Sequence, residues 1–152
     1  MARNVPINYI LLGSFTFLET FVFMFCSSQY EGTSVLAAAG ATAIMTLAIT
    51  AYAMKTKTDF TAMSALFFTL SIGLIILSLC SMFLTFGEWW HPFMACLFVV
   101  FYGLYLIYDT QLIAGGHSHS LSMDDYVIGA MLLYIDIMMI FLELLKAFGD
   151  KK

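Results

Sequence analysis

Residues 124–148 read DDYVIGAMLLYIDIMMIFLELLKAF, and between Tyr126 and Phe148 the charged side chains are Asp136, Glu143 and Lys146. At about 1.5 Å of rise per residue, a helix of this length crosses a hydrocarbon core of about 30 Å. An isolated strand there would leave its backbone unsatisfied, so a helix is the form that fits. The stretch therefore predicts a membrane-spanning helix that carries a carboxyl group, Asp136, about half-way along.

Working outward, four more runs have the same character. The sequence predicts an all-α fold, a polytopic transmembrane bundle of about five helices at 7–30, 34–54, 61–86, 92–113 and 124–148, in a single domain spanning 1–152. Composition agrees. Of 152 residues, 62% are hydrophobic and 11% charged, whereas a water-facing domain keeps about 25% charged. The net charge of −4 and the sparse lysines argue against nucleic acid as a partner and leave the lipid bilayer.

The connecting segments are short and carry turn chemistry. Glu31-Gly32-Thr33 separates the first two runs and Lys55-Thr56-Lys57-Thr58-Asp59 the next two. Trp89 and Trp90 suit the headgroup level, with Pro92 as a first helical residue. Gly115-Gly116 can end the fourth helix, and Ser122 with Asp125 resembles a capping box opening the fifth. Ala37, Ala38, Ala39, Gly40, Ala41 and Ala43 make the second helix a packing seam. If the N-terminal side of the membrane is called side A, it holds Arg3, Lys55 and Lys57, against Lys146, Lys151 and Lys152 on side B. That balance gives no orientation. Cys26, Cys80 and Cys96 form no C-x-x-C spacing and read as free apolar residues.

The chemistry lies in the buried acids. A carboxylate at membrane depth costs about 2.5–3.5 kcal/mol on insertion scales, which makes each one a functional candidate. Asp109, Asp136 and Glu19 fall within predicted spans. Tyr102, Tyr105 and Asp109 form one helical stripe; Asp125, Gly129, Asp136 and Glu143 form another. Glu143 lies near side B, where an interfacial place suits it. If Asp109 and Asp136 meet, they share a proton and titrate as a unit, or they recruit a cation. Hard oxygen ligands of that kind suit Ca²⁺. The pair is the candidate ion-binding latch and metal site, with Glu19, Tyr105 and Glu143 as accessories. One geometric obstacle stands: with the fourth helix ending at Ile113, the two acids differ by roughly 10 Å in depth. They meet only if that helix runs on past Gly115 or the helices tilt. His117 and His119 read as a solvated loop, since two histidines make an incomplete metal site. No nucleophile triad, phosphate-binding loop or dinucleotide motif is present, so neither an enzyme nor a bound cofactor is expected.

Three segments carry a family resemblance: Lys55-Thr56-Lys57-Thr58-Asp59-Phe60-Thr61, Tyr108-Asp109-Thr110-Gln111-Leu112, and Ser120-Leu121-Ser122-Met123-Asp124-Asp125-Tyr126 leading into Leu133-Tyr134-Ile135-Asp136-Ile137. In order and spacing they are similar to the transmembrane Bax inhibitor motif, or lifeguard, family. The resemblance implies a seven-helix fold in which an aspartate pair on the last two helices forms a pH-sensitive latch on a calcium leak pathway. Asp109 and Asp136 match those positions. It implies that side A faces the cytosol or its organellar equivalent. The five helices would correspond to the family's third through seventh. The family's second helix brings a basic residue to the aspartates, and other membrane subunits are the expected replacement for the two helices not represented. The expected function is a calcium or cation leak or exchange protein of an intracellular membrane, in the ER/Golgi or the mitochondrial inner membrane. The alternative is a structural accessory subunit of a larger organellar complex, for example a respiratory one. A role in cell death through partner binding belongs to the family by association.

Overall fold

The computed structural model describes residues 6–83, 87–122 and 125–152. Arg3, the expected end of the third helix at 84–86, and Met123 with the expected helix start at Asp124 lie outside the described residues. Among the described residues the regular structure is helical. The elements are α1 (Ile7–Ser28), α2 (Gly32–Lys55), α3 (Ser64–Phe83, entered through a 3₁₀ turn at Thr61–Met63), α4 (Trp90–Ala114) and α5 (Tyr126–Phe148). All five are long and apolar enough to cross a membrane.

The bounds differ from the sequence expectation where local chemistry decides them. The fourth helix starts at Trp90, so Pro92 is its third residue. Its missing N–H is harmless there, because first-turn donors have no intrahelical acceptor. The fifth helix starts at Tyr126 with Asp125 at its N-cap. Ser122 is therefore not the N-cap of a capping box; its carbonyl accepts the Asp125 N–H at 2.9 Å. α4 ends at Ala114, and Gly115 and Gly116 follow with φ of 73° and 78°. Those left-handed values suit residues without a Cβ.

Packing centres on α4 and α5, which run antiparallel with the most extensive contact in the bundle. The small-residue helix α2 packs across both, and α1 lies against α5. Ala38, Val99, Leu106, Ile140, Phe141 and Leu144 form much of the shared core. α3 flanks α4, with Phe67 against the rings of Tyr105 and Tyr108 at 5.3 and 5.2 Å. Large apolar side chains such as Phe17, Leu18 and Phe25 on α1, Leu36 and Ile44 on α2, and Ile75 and Ile76 on α3 point outward. In water such a surface would drive aggregation; against lipid tails it costs nothing. The bilayer is thus in contact with most of the protein. All three cysteines are free.

The depth obstacle between Asp109 and Asp136 is resolved at the α4–α5 connection. α4 does not run on past Gly115. Instead the loop folds back, with the Leu121 N–H donating to the Leu112 carbonyl at 2.8 Å. Gly129 comes to rest against Ile113, so close that a Cβ on Gly129 would sit 3.1 Å from Ile113 Cγ1. That contact levels residue 129 with residue 113, so α5 begins about half a turn further toward side A than α4 ends. Four residues from Ile113 to Asp109 span about 6 Å, and seven from Gly129 to Asp136 about 10.5 Å. The remaining offset is about 4.5 Å by the same rise, within side-chain reach.

Gly129→Leu should force α5 off α4 and destabilise the fold by about 1–3 kcal/mol. Thermal unfolding in detergent micelles will show this as a lowered midpoint, with Gly129→Ala in between. A Leu variant as stable as the parent would refute the register argument.

Candidate cation site

Asp109 and Asp136 are 5% and 4% exposed. Their carboxyl groups lie against one another across the α4–α5 seam, within hydrogen-bonding reach if one holds a proton. Oδ2 of Asp136 is buried and meets no other donor among the described residues. Two ionised carboxylates in that position would repel each other and leave the oxygen unsatisfied, so a shared proton or a cation is the chemically reasonable third party. The pair lines a cavity of about 250 Å³ together with Phe101, Tyr102, Tyr105, Leu132 and Ile135.

The accessory residues sort by position. The Tyr105 ring lines this cavity, but its hydroxyl is 2.8 Å from Ser71 Oγ. Ser71 already donates to the Phe67 carbonyl, so Tyr105 donates to Ser71 and ties α3 to α4. Glu143 is 6% exposed, so it faces the bundle near side B. Its Oε1 accepts from Lys146 Nζ at 2.6 Å, and it lines a second cavity, of about 590 Å³, toward side B. Tyr102 lines both cavities. Glu19 stands apart, in a cavity of about 170 Å³ with Val22, Phe23, Ile135, Met138, Met139 and Leu142. Among the described residues no cluster of three or more His, Cys, Asp or Glu could hold a metal. His117 Nδ1 lies 3.0 Å from the Gly115 carbonyl, and the His119 N–H donates to Thr61 Oγ1, so both histidines belong to the loop.

Toward side A the site is roofed by a polar network that sequence reasoning did not find. Gln111, two residues after Asp109, is 1% exposed. Its Oε1 accepts from the Phe60 N–H at 2.9 Å, and its Nε2 donates to the carbonyls of Thr58 at 2.9 Å and Ala53 at 3.4 Å. Next to it, Asp59 accepts from the hydroxyl and backbone N–H of Ser118, the Thr61 hydroxyl and the Ala62 N–H. These donors, the Ser118 hydroxyl foremost, hold the Asp59 carboxyl well below the usual carboxylate range. The α2–α3 and α4–α5 connections are thereby clasped together. A buried Asn8 also donates to the Tyr126 hydroxyl at 2.6 Å, fixing the start of α1 to the start of α5. An amide in an otherwise apolar run was the available signal for Gln111 and Asn8. Their partners, 51 to 118 residues away, were not readable.

Comparison with known proteins agrees with the resemblance read from the motifs. A family model described as "Inhibitor of apoptosis-promoting Bax1" matches residues 1–152. Protein lifeguard 3 of Homo sapiens is 36% identical over 152 residues, which is 98% of this chain and 49% of the relative. Protein LIFEGUARD 4 of Arabidopsis thaliana is 32% identical over 146 residues, covering 94% of this chain and 58% of its own length. Protein lifeguard 4 of Mus musculus is 36% identical over 143 residues, covering 93% and 57%. The chain thus spans about half the length of the curated relatives it matches.

A carboxyl held low stabilises the clasp at every pH above the free-carboxylate value of about 3.9 and loses that contribution only as pH falls through its folded value. Amide hydrogen exchange at 60–62 and 118–119 should therefore keep its protection between pH 8 and about 5, after correction for intrinsic rates. Asp59→Ala should abolish it at residues 62 and 118, whose N–H groups donate to the carboxylate. Loss of protection in the parent protein on going from pH 8 to about 5 would contradict this account.

Proposed function

This chain belongs to the Bax inhibitor-1, or lifeguard, family of membrane proteins, and we propose that it provides a cation leak or exchange path, taken by Ca²⁺, through an intracellular membrane. Asp109 and Asp136 are its pH-responsive site. The observation that carries this reading is the contact of two buried carboxyl groups at the wall of a cavity between two membrane-spanning helices. Each acid costs about 2.5–3.5 kcal/mol to hold at that depth. An apolar pair of similar volume would pack the seam without that cost.

The chemistry follows from one site with two competing occupants. At low pH a proton is shared between the carboxyl groups and satisfies both. As pH rises the proton leaves, and the pair becomes a divalent oxygen site that favours a hard cation. Ca²⁺ takes 6–8 oxygen ligands. The two carboxylates supply up to four, the Tyr102 hydroxyl is nearby, and water in the cavity completes the shell. Binding to so few protein oxygens is weak enough to release the ion, which a path requires. Cation passage therefore rises with pH and falls as protons occupy the pair. No covalent chemistry is involved. An accessory-subunit role in a larger organellar complex draws no support from the fold or from the relatives' names.

The test is Ca²⁺ flux through the reconstituted chain in vesicles as a function of pH. Asp109→Asn and Asp136→Asn should each lower flux at high pH by about tenfold, the factor set by one pKa unit of differential interaction, and flatten its pH dependence. Parent-like flux with a parent-like pH response in both variants would sink the reading.

A further inference from the structure

The side-B cavity of about 590 Å³ is apart from the aspartate pair, and its lining is sorted by chemistry. It lies where α3 ends, α4 starts and α5 ends, so it opens at the headgroup level that Trp90 also marks. Met94, Phe98 and Met139 give it an apolar floor toward the membrane interior. Lys146, Lys151, His91 and Ser78 bring polar groups to the same volume.

The charge is unbalanced in one direction. Glu143 is the carboxylate among the described lining residues, and its Oε1 is held by Lys146 Nζ at 2.6 Å. Lys151 has no such answer: among the described residues its ammonium makes no hydrogen bond or ion pair. The backbone sets where Lys151 points. Tyr30 and Lys151 oppose each other in an antiparallel bridge. The Glu31 N–H donates to the Asp150 carbonyl and the Lys152 N–H to the Gln29 carbonyl, both at 3.0 Å. Directly opposed residues put their side chains on one face of an extended pair, and their neighbours on the other. Tyr30 and Lys151 accordingly line the cavity, whereas Glu31, Asp150 and Lys152 do not. The acids flanking the bridge therefore turn away from the volume that the Lys151 ammonium faces.

Other donors are also uncommitted. Ser81 donates to the Ser78 carbonyl at 2.7 Å, but the Ser78 hydroxyl and the His91 ring have no hydrogen-bond partner among the described residues. An ammonium, a hydroxyl and a ring N–H around one volume call for an anion with several oxygens. The floor below them calls for hydrocarbon. A phosphodiester carried on acyl chains has both parts.

We infer that this cavity seats the phosphate of an anionic phospholipid of the side-B leaflet on Lys151, His91 and Ser78, with an acyl chain over Met94, Phe98 and Met139. The lining selects an anionic over a zwitterionic lipid, because Lys146 and Lys151 face a single carboxylate. Glu143 opposes the lipid by holding Lys146 to itself. The site stands on this geometry and does not rest on the cation-path reading.

The test uses the full chain in phosphatidylcholine bilayers, with Trp89→Phe so that Trp90, which lines the cavity, is the remaining tryptophan. Phosphatidylglycerol with brominated chains is the probe, and quenching of Trp90 reads its binding. It should quench at a lower mole fraction than brominated phosphatidylcholine. Lys151→Met should weaken probe binding by about fivefold, the scale of one lysine at a charged membrane surface. Lys152→Met removes the same charge from the other face of the bridge and should weaken it less. Glu143→Gln frees Lys146 and should tighten binding by about the same factor. Inorganic phosphate, which has no chain, should not displace the probe.

A merely basic surface would respond alike to loss of either terminal lysine. The inference is overturned if the two brominated lipids quench alike, if Lys151→Met and Lys152→Met weaken binding equally, or if Glu143→Gln fails to tighten it. Displacement of the probe by inorganic phosphate would also overturn it, by giving the donors to a free anion. Should Glu143→Gln not fold by circular dichroism, the two lysine variants and the lipid comparison decide.

Discussion

A carboxyl group in the hydrocarbon core has no bulk water to solvate it, and Asp109 and Asp136 meet that constraint by facing each other across the α4–α5 seam. Much of the architecture serves that meeting. α4 and α5 must run side by side over their length, which the extensive contact between them provides. α2 must close one side of the seam without wedging it open, which the small buried Ala38 permits; Gly40 and the neighbouring alanines face outward. The depth of α5 relative to α4 must bring position 136 level with 109, and the close approach of Gly129 to Ile113 sets that depth. A single side chain on residue 129 bears on a contact two turns away.

The two ends of the site are built differently. Toward side A the connections are cross-linked through Gln111 and Asp59, whose acceptors and donors are matched. The Gln111 part of this network is stiff, because breaking it leaves a buried amide unsatisfied, whereas the Asp59–Ser118 bonds lie at the exposed surface. Toward side B there is open volume lined by hydroxyls, a buried acid and lysine side chains. A hydrogen-bonded clasp between connections at side A and an open cavity at side B make the two ends of the bundle unlike. In the cation-path reading, an ion reaches the pair more readily from side B, and opening toward side A requires the connection clasp or the α4–α5 seam to yield. In the same reading the pH response is assigned to the pair, since Asp59 stays ionised throughout the physiological range.

Different physical scales explain what could be read in advance. The spans were legible because lipid acts on every residue of a helix and leaves a run of apolar side chains as its trace. Asp109 and Asp136 were legible because a single charge in such a run stands out. The end of α4 was legible at Gly115-Gly116, where the backbone turns left-handed. The start of α5 was not: Ser122 and Asp125 carry the letters of a capping box, but Asp125 itself occupies the cap. The burial of Glu143 was not legible, because its distance from the helix end was known and its facing was not. Tyr105 looked like a partner for the aspartates because stripe position does not say which helix a hydroxyl reaches across to; it reaches Ser71.

By itself, then, the sequence determined the solvent, the number of spans, the family and the identity of the acids, because each of these follows from side-chain chemistry within one helix or one short motif. The tertiary structure alone decided that Asp109 and Asp136 touch, that Glu143 is buried beside Lys146, and that Gln111 and Asp59 close side A. Those outcomes depend on the relative depth and rotation of separate helices. A shift of one residue moves a side chain by 1.5 Å along the axis and about 100° around it. Loop paths and a glycine contact fix that shift, and no local pattern of letters records it.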